Sequence, residues 1–278
     1  MGKVFRMLPP FKGKKKIARY FFSKSFLQTK DNMLLGKYDV IYKVPNYIDS
    51  IGFELLVDGI YERNTIDFLV NKVPTEAVFL DIGANIGSIC LPLAKKRKDI
   101  TVYSFEASKS IFENLKQNID LNALHNVKAY HIALSDHSQD NVAFYAPSEK
   151  FGKGSFAPVF TLEAEYVSSQ TLDSFLEEFN ITAVDFIKID VEGFEYFVFK
   201  GAEKELSKAD APDILFEFVD WAEEQALSNK MGKAQEILFE MGYKLYRFSD
   251  AYSFDPLHSV IKKGASLIFA TKKVMLNV

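Results

Sequence analysis

Two stretches place chemically capable side chains at a meaningful spacing. Residues 79–88 read FLDIGANIGS and residues 186–195 read FIKIDVEGFE. In the second, Asp190 and Glu192 stand two apart at the end of an apolar run, so a continuing strand projects both to one face. Carboxylates so placed can take a proton from a weak nucleophile such as a hydroxyl. They can also hold a divalent cation such as Mg²⁺, with Glu217 in the later run ILFEF as a third acid. The alternative is structural: Asp190 touches only a ligand, and Glu192 caps the following helix.

The first stretch reads as a strand that ends on Asp81 and turns through Gly83 and Gly87 into a helix. Glycines there let the backbone approach a ligand closely. A dinucleotide fingerprint requires Gly-x-Gly-x-x-Gly, but Asn85 and Ser88 occupy its second and third glycine positions, and the Gly-Lys-Ser/Thr of a P-loop is absent. The turn suits a ligand without a pyrophosphate. Farther on, VYSFEAS ends its apolar run on Glu106, twenty-five positions past Asp81. That acid can accept from both hydroxyls of a ribose. The implied ligand is a nucleoside joined to something other than phosphate, a shape that S-adenosylmethionine has.

Positioning these residues requires strands that stop at the site and helices that turn back. Apolar runs at 77–81, 101–105, 128–134, 185–190, 214–218, 244–248 and 267–270 read as strands. Helix-period segments lie near 87–98, 108–121, 171–179, 194–206 and 221–241. Such alternation predicts a mostly parallel sheet covered on both faces, and unbroken runs such as AVFLDI suit strands buried on both sides. The ligand of such a sheet lies outside the carboxyl ends of its strands, where strand order reverses. The long Gly/Pro/Ser loop APSEKFGKGSFAP (146–158) has the length of a lid or binding element. His131 and Lys188, inside strand runs, read as structural, and His258 as a residue on the substrate side.

Composition sets the outer bounds. The chain has 278 residues, 48% of them hydrophobic, enough for a large core. No run approaches the ~18 apolar residues of a membrane span, and the N-terminus lacks the apolar block of a signal peptide. Cys90 is the only cysteine, which suits a reducing compartment and predicts a cytoplasmic protein. Residues 1–30 carry nine Lys and Arg, no acid, and six interleaved aromatics. Because the whole chain is −3, residues 31–278 carry −12. An acidic body argues against nucleic acid as a partner. The basic arm admits two readings: a solvated, partly packed helix, or peripheral contact with an anionic membrane face.

With these residues in view, the chain resembles the FkbM family of S-adenosylmethionine-dependent methyltransferases. The matching pieces are DGIYERNTIDFL (58–69), FLDIGANIGS, SFEAS (104–108), IALSD (132–136), TLDSF (171–175) and IKIDVEGFEYFVFKGAEKEL (187–206), in the family's order. The resemblance implies a Rossmann-like class I methyltransferase sheet of seven mostly parallel strands with helices on both faces. Residues 56–278 would form that domain, preceded by a basic arm and lid elements over 1–55. It further implies that Asp81, Gly83, Asn85 and Gly87 hold the methionine end of the cofactor, and that Glu106, with Ala107 and Ser108 beside it, holds the ribose. Ala133, Ser135 and Asp136 would flank the adenine, Tyr61 and Glu62 would close over the cofactor, and Asp190 would touch it. The expected acceptor is a hydroxyl of a sugar, glycan, glycolipid or secondary metabolite. The rival class, nucleic-acid N-methyl transfer, usually brings an Asn/Asp-Pro-Pro-aromatic turn, and this chain has DVEG in that place.

Overall fold

The structure is a computed structural model that describes residues 2–9, 11–30, 32–227, 230–249 and 253–273. A hairpin of β1 (Asn32–Leu35) and β2 (Ile41–Val44) precedes the main sheet. The sheet's first strands are β3 (Val78–Ile82), β4 (Thr101–Glu106) and β5 (Val127–His131). A small side sheet follows, made of β6 (Ala133–Leu134), β7 (Gln139–Phe144) and β8 (Glu165–Gln170). The main sheet resumes with β9 (Phe186–Ile189), β10 (Asp213–Val219), β11 (Lys244–Phe248), β12 (Phe254–Leu257) and β13 (Ala265–Thr271). Its order is β12-β11-β13-β10-β9-β3-β4-β5. The five strands from β10 to β5 run parallel, and β13 pairs antiparallel with both β10 and β11. From β3 the chain winds one way to β5, then returns to build β9 and β10 on the other side. The order therefore reverses between β3 and β9, and the crevice belongs there.

Each strand is apolar on both sides because each side faces its own core. Phe79, Val102, Phe186, Leu215 and Phe269 join one buried cluster. Their neighbours Leu80, Tyr103, Ile187, Phe216 and Ile268 join the other. Helices Ser50–Asp58, Arg63–Lys72, Cys90–Lys96 and Lys109–Leu121 supply the first layer; Leu172–Glu178, Glu195–Lys200 and Lys233–Glu240 supply the second.

The arm is helical over Gly2–Met7, Lys14–Phe21 and Lys24–Leu27. Phe5, Ala18, Phe22 and Leu27 are buried in the first layer, and the buried Lys14 ammonium pairs with Asp58 at 2.8 Å. Four details differ from the sequence expectation. The run 128–134 is divided between β5 in the main sheet and β6 in the side sheet. The main sheet has eight strands rather than seven, because β12 adds an edge to β11. The segment 194–206 is two helices parted at Gly201, where a Cβ would lie 1.9 Å from the Ser135 carbonyl oxygen. The segment 221–241 likewise holds two, Asp220–Leu227 and Lys233–Glu240.

Candidate active site

Adjacent strands end together and set a row of functional groups side by side. One residue beyond the paired Phe216 and Ile189 stand Glu217 and Asp190, and one beyond the paired Ile82 and Phe105 stand Gly83 and Glu106. Gly83 has φ +78° and approaches the β9 turn so closely that a Cβ would sit 1.9 Å from the Asp190 carbonyl oxygen. No other residue type fits that contact. The Gly83 and Ala84 N–H groups both donate to the Phe105 carbonyl, at 3.0 and 2.9 Å. Asn85 adopts φ +52°, unusual for a residue with a side chain. Its amide spans two segments: Oδ1 accepts from the Ile86 N–H, and Nδ2 donates to the Phe151 carbonyl at 2.9 Å.

Phe151 belongs to the loop expected to act as a lid. Asp49 accepts from the Gly152 N–H at 3.1 Å, Asn46 donates to the Ser148 carbonyl at 3.2 Å, and Lys153 pairs with Glu192 at 2.6 Å. The loop thereby roofs a crevice whose floor is the row of strand ends. In that crevice Glu106 accepts from the Asn85 N–H at 2.9 Å and the Ser108 N–H at 2.8 Å. Burial pushes its pKa up to about 7, against the pull of those two N–H groups.

Of the residues expected to bind a cofactor, Tyr61, Gly83, Asn85, Glu106, Ala107, Ser108, Ala133 and Asp190 line this crevice. Five lie elsewhere. Asp81 is fully buried beneath the floor, and neither of its oxygens has a hydrogen-bond partner among the described residues. Gly87 packs against the sheet-covering helices, where a Cβ would meet Leu91 at 2.5 Å and Leu115 at 3.0 Å. Ser135 and Asp136 are outside the lining, with Asp136 bonded to His137 at 2.7 Å. Glu62 faces a second cavity.

That second cavity, of about 980 Å³, lies on the other side of the strand ends. Leu8, Phe11, Ile60, Leu215, Phe248 and Leu267 give it apolar walls, while Lys14, Lys15 and Arg63, paired with Asp58, Glu54 and Asp67, and Lys16 and Lys37 give it polar ones. It shares Lys188, Asp190 and Glu217 with the crevice, and these three mark the junction. Burial, then the charge of Asp190, pushes Glu217 up to about 7. Burial and Asp190 likewise push Glu192 to about 7, but Lys153 opposes the shift.

Lys188 is the group that the sequence reading left out of the site. Its ammonium sits 3.7 Å from Asp81 and 3.5 Å from Asp190, and donates to the Gly83 carbonyl at 3.5 Å. Burial pulls its pKa down, yet Asp190, Asp81 and Glu62 outweigh that and hold it above the ordinary lysine value. Its signal was legible as a cation inside an apolar strand, which must find buried counter-charges. Glu195 was missed as well: its carboxylate accepts from the Val191 and Gly193 N–H groups and closes the turn after β9.

These contacts also correct the metal reading. Among the described residues no group of three His, Cys, Asp or Glu side chains gathers to hold a metal ion. Glu192 is neutralised by Lys153 and Asp190 by Lys188. Asp190, Glu192 and Glu217 do not fit Mg²⁺. The crevice residues do fit S-adenosylmethionine: Glu106 would take the ribose, the Gly83 turn admits no Cβ, and Asp190 and Glu217 would face a cationic sulfonium.

A crevice at the reversal point of a doubly wound sheet, with a glycine turn and a ribose-ready acid but no pyrophosphate cradle, defines a class I methyltransferase. Residues 81–245 match the family described as the methyltransferase FkbM domain, and the chain belongs to that family of S-adenosylmethionine-dependent methyltransferases. It is 24% identical to "Methyltransferase 1" of Beauveria bassiana over 177 residues, 57% of this chain and 68% of that one. With "Methyltransferase sdnD" of Sordaria araneosa it shares 25% over 188 residues, 57% of this chain and 72% of the relative. A 102-residue stretch, 37% of this chain, is 32% identical to part of the antimetabolite synthetase AmbE of Pseudomonas aeruginosa but spans 4% of that protein. Among solved structures, a precorrin-6y methyltransferase from Geobacter metallireducens aligns at TM-score 0.44 and 13% identity, covering 77% of this chain and 93% of that one.

Proposed function

We propose that this protein transfers a methyl group from S-adenosylmethionine to a hydroxyl oxygen of a sugar, glycan, glycolipid or secondary metabolite bound in the second cavity. The observation that carries the reading is the junction: Asp190 and Glu217 face the cofactor crevice and the 980 Å³ cavity alike. When bound, the cofactor supplies an electrophilic methyl on a sulfonium, whose loss leaves a neutral thioether. Everything else falls to the chain. Glu106 accepts from the ribose hydroxyls and fixes the register of the cofactor. The loop around Phe151 excludes water. Glu217, poised at about 7, takes the proton of the acceptor hydroxyl as its oxygen bonds to the methyl carbon. A positioned base of that pKa contributes about 10²–10⁴-fold in rate. Lys188 holds Asp190 in place and keeps several clustered acids from repelling one another apart. The short match within an antimetabolite synthetase and the concave, partly apolar cavity both favour a small-molecule or glycan acceptor over nucleic acid.

The test is to incubate the protein with methyl-labelled S-adenosylmethionine and separate glycan, lipid, metabolite and RNA fractions. Label in a base-stable ether of one of the first three is the expected result. Label on nitrogen or in RNA overturns the proposal.

A further inference from the structure

Eight of the fifteen exposed large hydrophobic side chains among the described residues fall within positions 4–26. On helix Lys14–Phe21, Lys14 and Ala18 turn inward with Phe22 beyond them, whereas Ile17, Tyr20 and Phe21 share an adjoining face that stays exposed, Phe21 edging onto the buried Phe5 ring at 6.1 Å. Tyr20 is 90% exposed, and Met7 on the neighbouring helix is 85% exposed. The arm thus has a second apolar face that the body does not cover. On the same arm Lys3, Lys12, Lys16, Lys24 and Lys30 are exposed and make no ion pair among the described residues. The arm contains no acid to oppose them.

We infer that this face docks on an anionic lipid bilayer. A short amphipathic segment with aromatic and aliphatic side chains amid lysines is bound at an interface by two additive forces. Apolar groups enter the headgroup–acyl boundary, and cations are drawn to the charged surface. Each Lys or Arg near such a surface is worth roughly fivefold in partitioning, so five unpaired cations dominate the binding and make it salt-sensitive. The unbroken positive charge selects an anionic bilayer over a protein partner, whose interface would oppose cations with discrete acids.

The docking face adjoins the rim of the acceptor cavity, because Lys16, next to Ile17, is one of the residues that line it. Leu8 and Phe11 are 41% and 45% exposed and line the cavity, beside Lys15 and Lys16. An acceptor anchored in the bilayer therefore meets the cavity mouth where the protein meets the membrane. This part rests on the acceptor reading above; the docking itself does not.

The experiment is co-sedimentation of the full chain with vesicles of phosphatidylcholine alone or mixed with phosphatidylglycerol, at low and high salt. Binding to the anionic vesicles that weakens at least about tenfold at high salt is expected. The variants Ile17→Ser/Tyr20→Ser/Phe21→Ser and Lys12→Glu/Lys24→Glu should each lose at least about tenfold in partitioning. Their affinity for S-adenosylhomocysteine should stay unchanged, which separates loss of docking from loss of fold. Failure of the wild type to bind anionic vesicles, or equal binding to both vesicle types, overturns the inference whatever the variants do. Methyl transfer to a soluble acceptor would leave it standing.

Discussion

Replacing Glu217 by Gln keeps shape and hydrogen-bonding reach while removing the base. With its pKa at about 7, Glu217 is half ionised at neutral pH, and turnover should fall about tenfold for each pH unit below that value. The variant should lose about 10²–10⁴-fold in kcat and the inflection near 7 along with it, while KM for the acceptor moves little. The same substitution should affect stability in the opposite sense. The Glu217 pKa is raised on folding from its usual 4.5. Its contribution to stability is therefore full below about pH 4.5 and is lost as pH rises through about 7. Gln carries no such penalty, so the variant should melt above the wild type at pH 8, by at most about 3 kcal/mol. The assay pairs pH–rate profiles, using the acceptor fraction that labelling identifies, with thermal melts of the ligand-free protein. Turnover within a few-fold of wild type, with the inflection kept, would refute Glu217 as base. Glu192→Gln, which frees Lys153, would then be the next variant to examine.

If Glu106 takes the ribose as proposed, cofactor affinity should climb as pH rises through about 7, where its carboxylate ionises; calorimetry on Glu106→Gln should give a flat, weaker profile. Gly83→Ala should cost on the order of 3 kcal/mol or more in a thermal melt and abolish cofactor binding, since its Cβ meets a backbone oxygen at 1.9 Å. A melt near that of wild type would show that the two turns are not interlocked. Lys188→Met leaves Asp81 and Asp190 without their shared counter-ion and should destabilise by about 3–5 kcal/mol, most at high pH where the buried Asp81, its pKa raised by burial, is charged; insensitivity of the melt to pH would contradict it.

Local pattern was enough for the sheet. Apolar runs of the right length, each ending on a glycine turn or an acid, place β3, β4, β9 and β10 within two residues of where they lie. The expected seven strands became eight because β12 contains Pro256, which breaks the apolar pattern and is tolerated only at an edge. The segment 194–206 divided where tertiary contact, invisible in sequence, demands a bend: Gly201 approaches the Ser135 carbonyl. Within the site, depth along the strands hid most. Asp81 and Glu106 both end apolar runs and share a sheet face, Asp81 pairing with Ser104 two residues before Glu106, yet Asp81 is buried short of the strand ends while Glu106 lines the crevice. Sequence order also cannot reveal that Lys153, on a loop, meets Glu192 thirty-nine positions away.

Among the described residues, the crevice under the Phe151 loop and the arm-lined cavity share Lys188, Asp190 and Glu217 alone. With cofactor and acceptor in the sites proposed for them, the two reactants would use separate doors. A methylated product would leave by the arm side while the spent thioether is still under the loop, and a fresh acceptor could arrive before that loop lifts. Traffic on one side does not queue behind the other, so turnover is set by the slower door rather than by the sum of both, and initial-rate patterns should carry the signature of random-order binding.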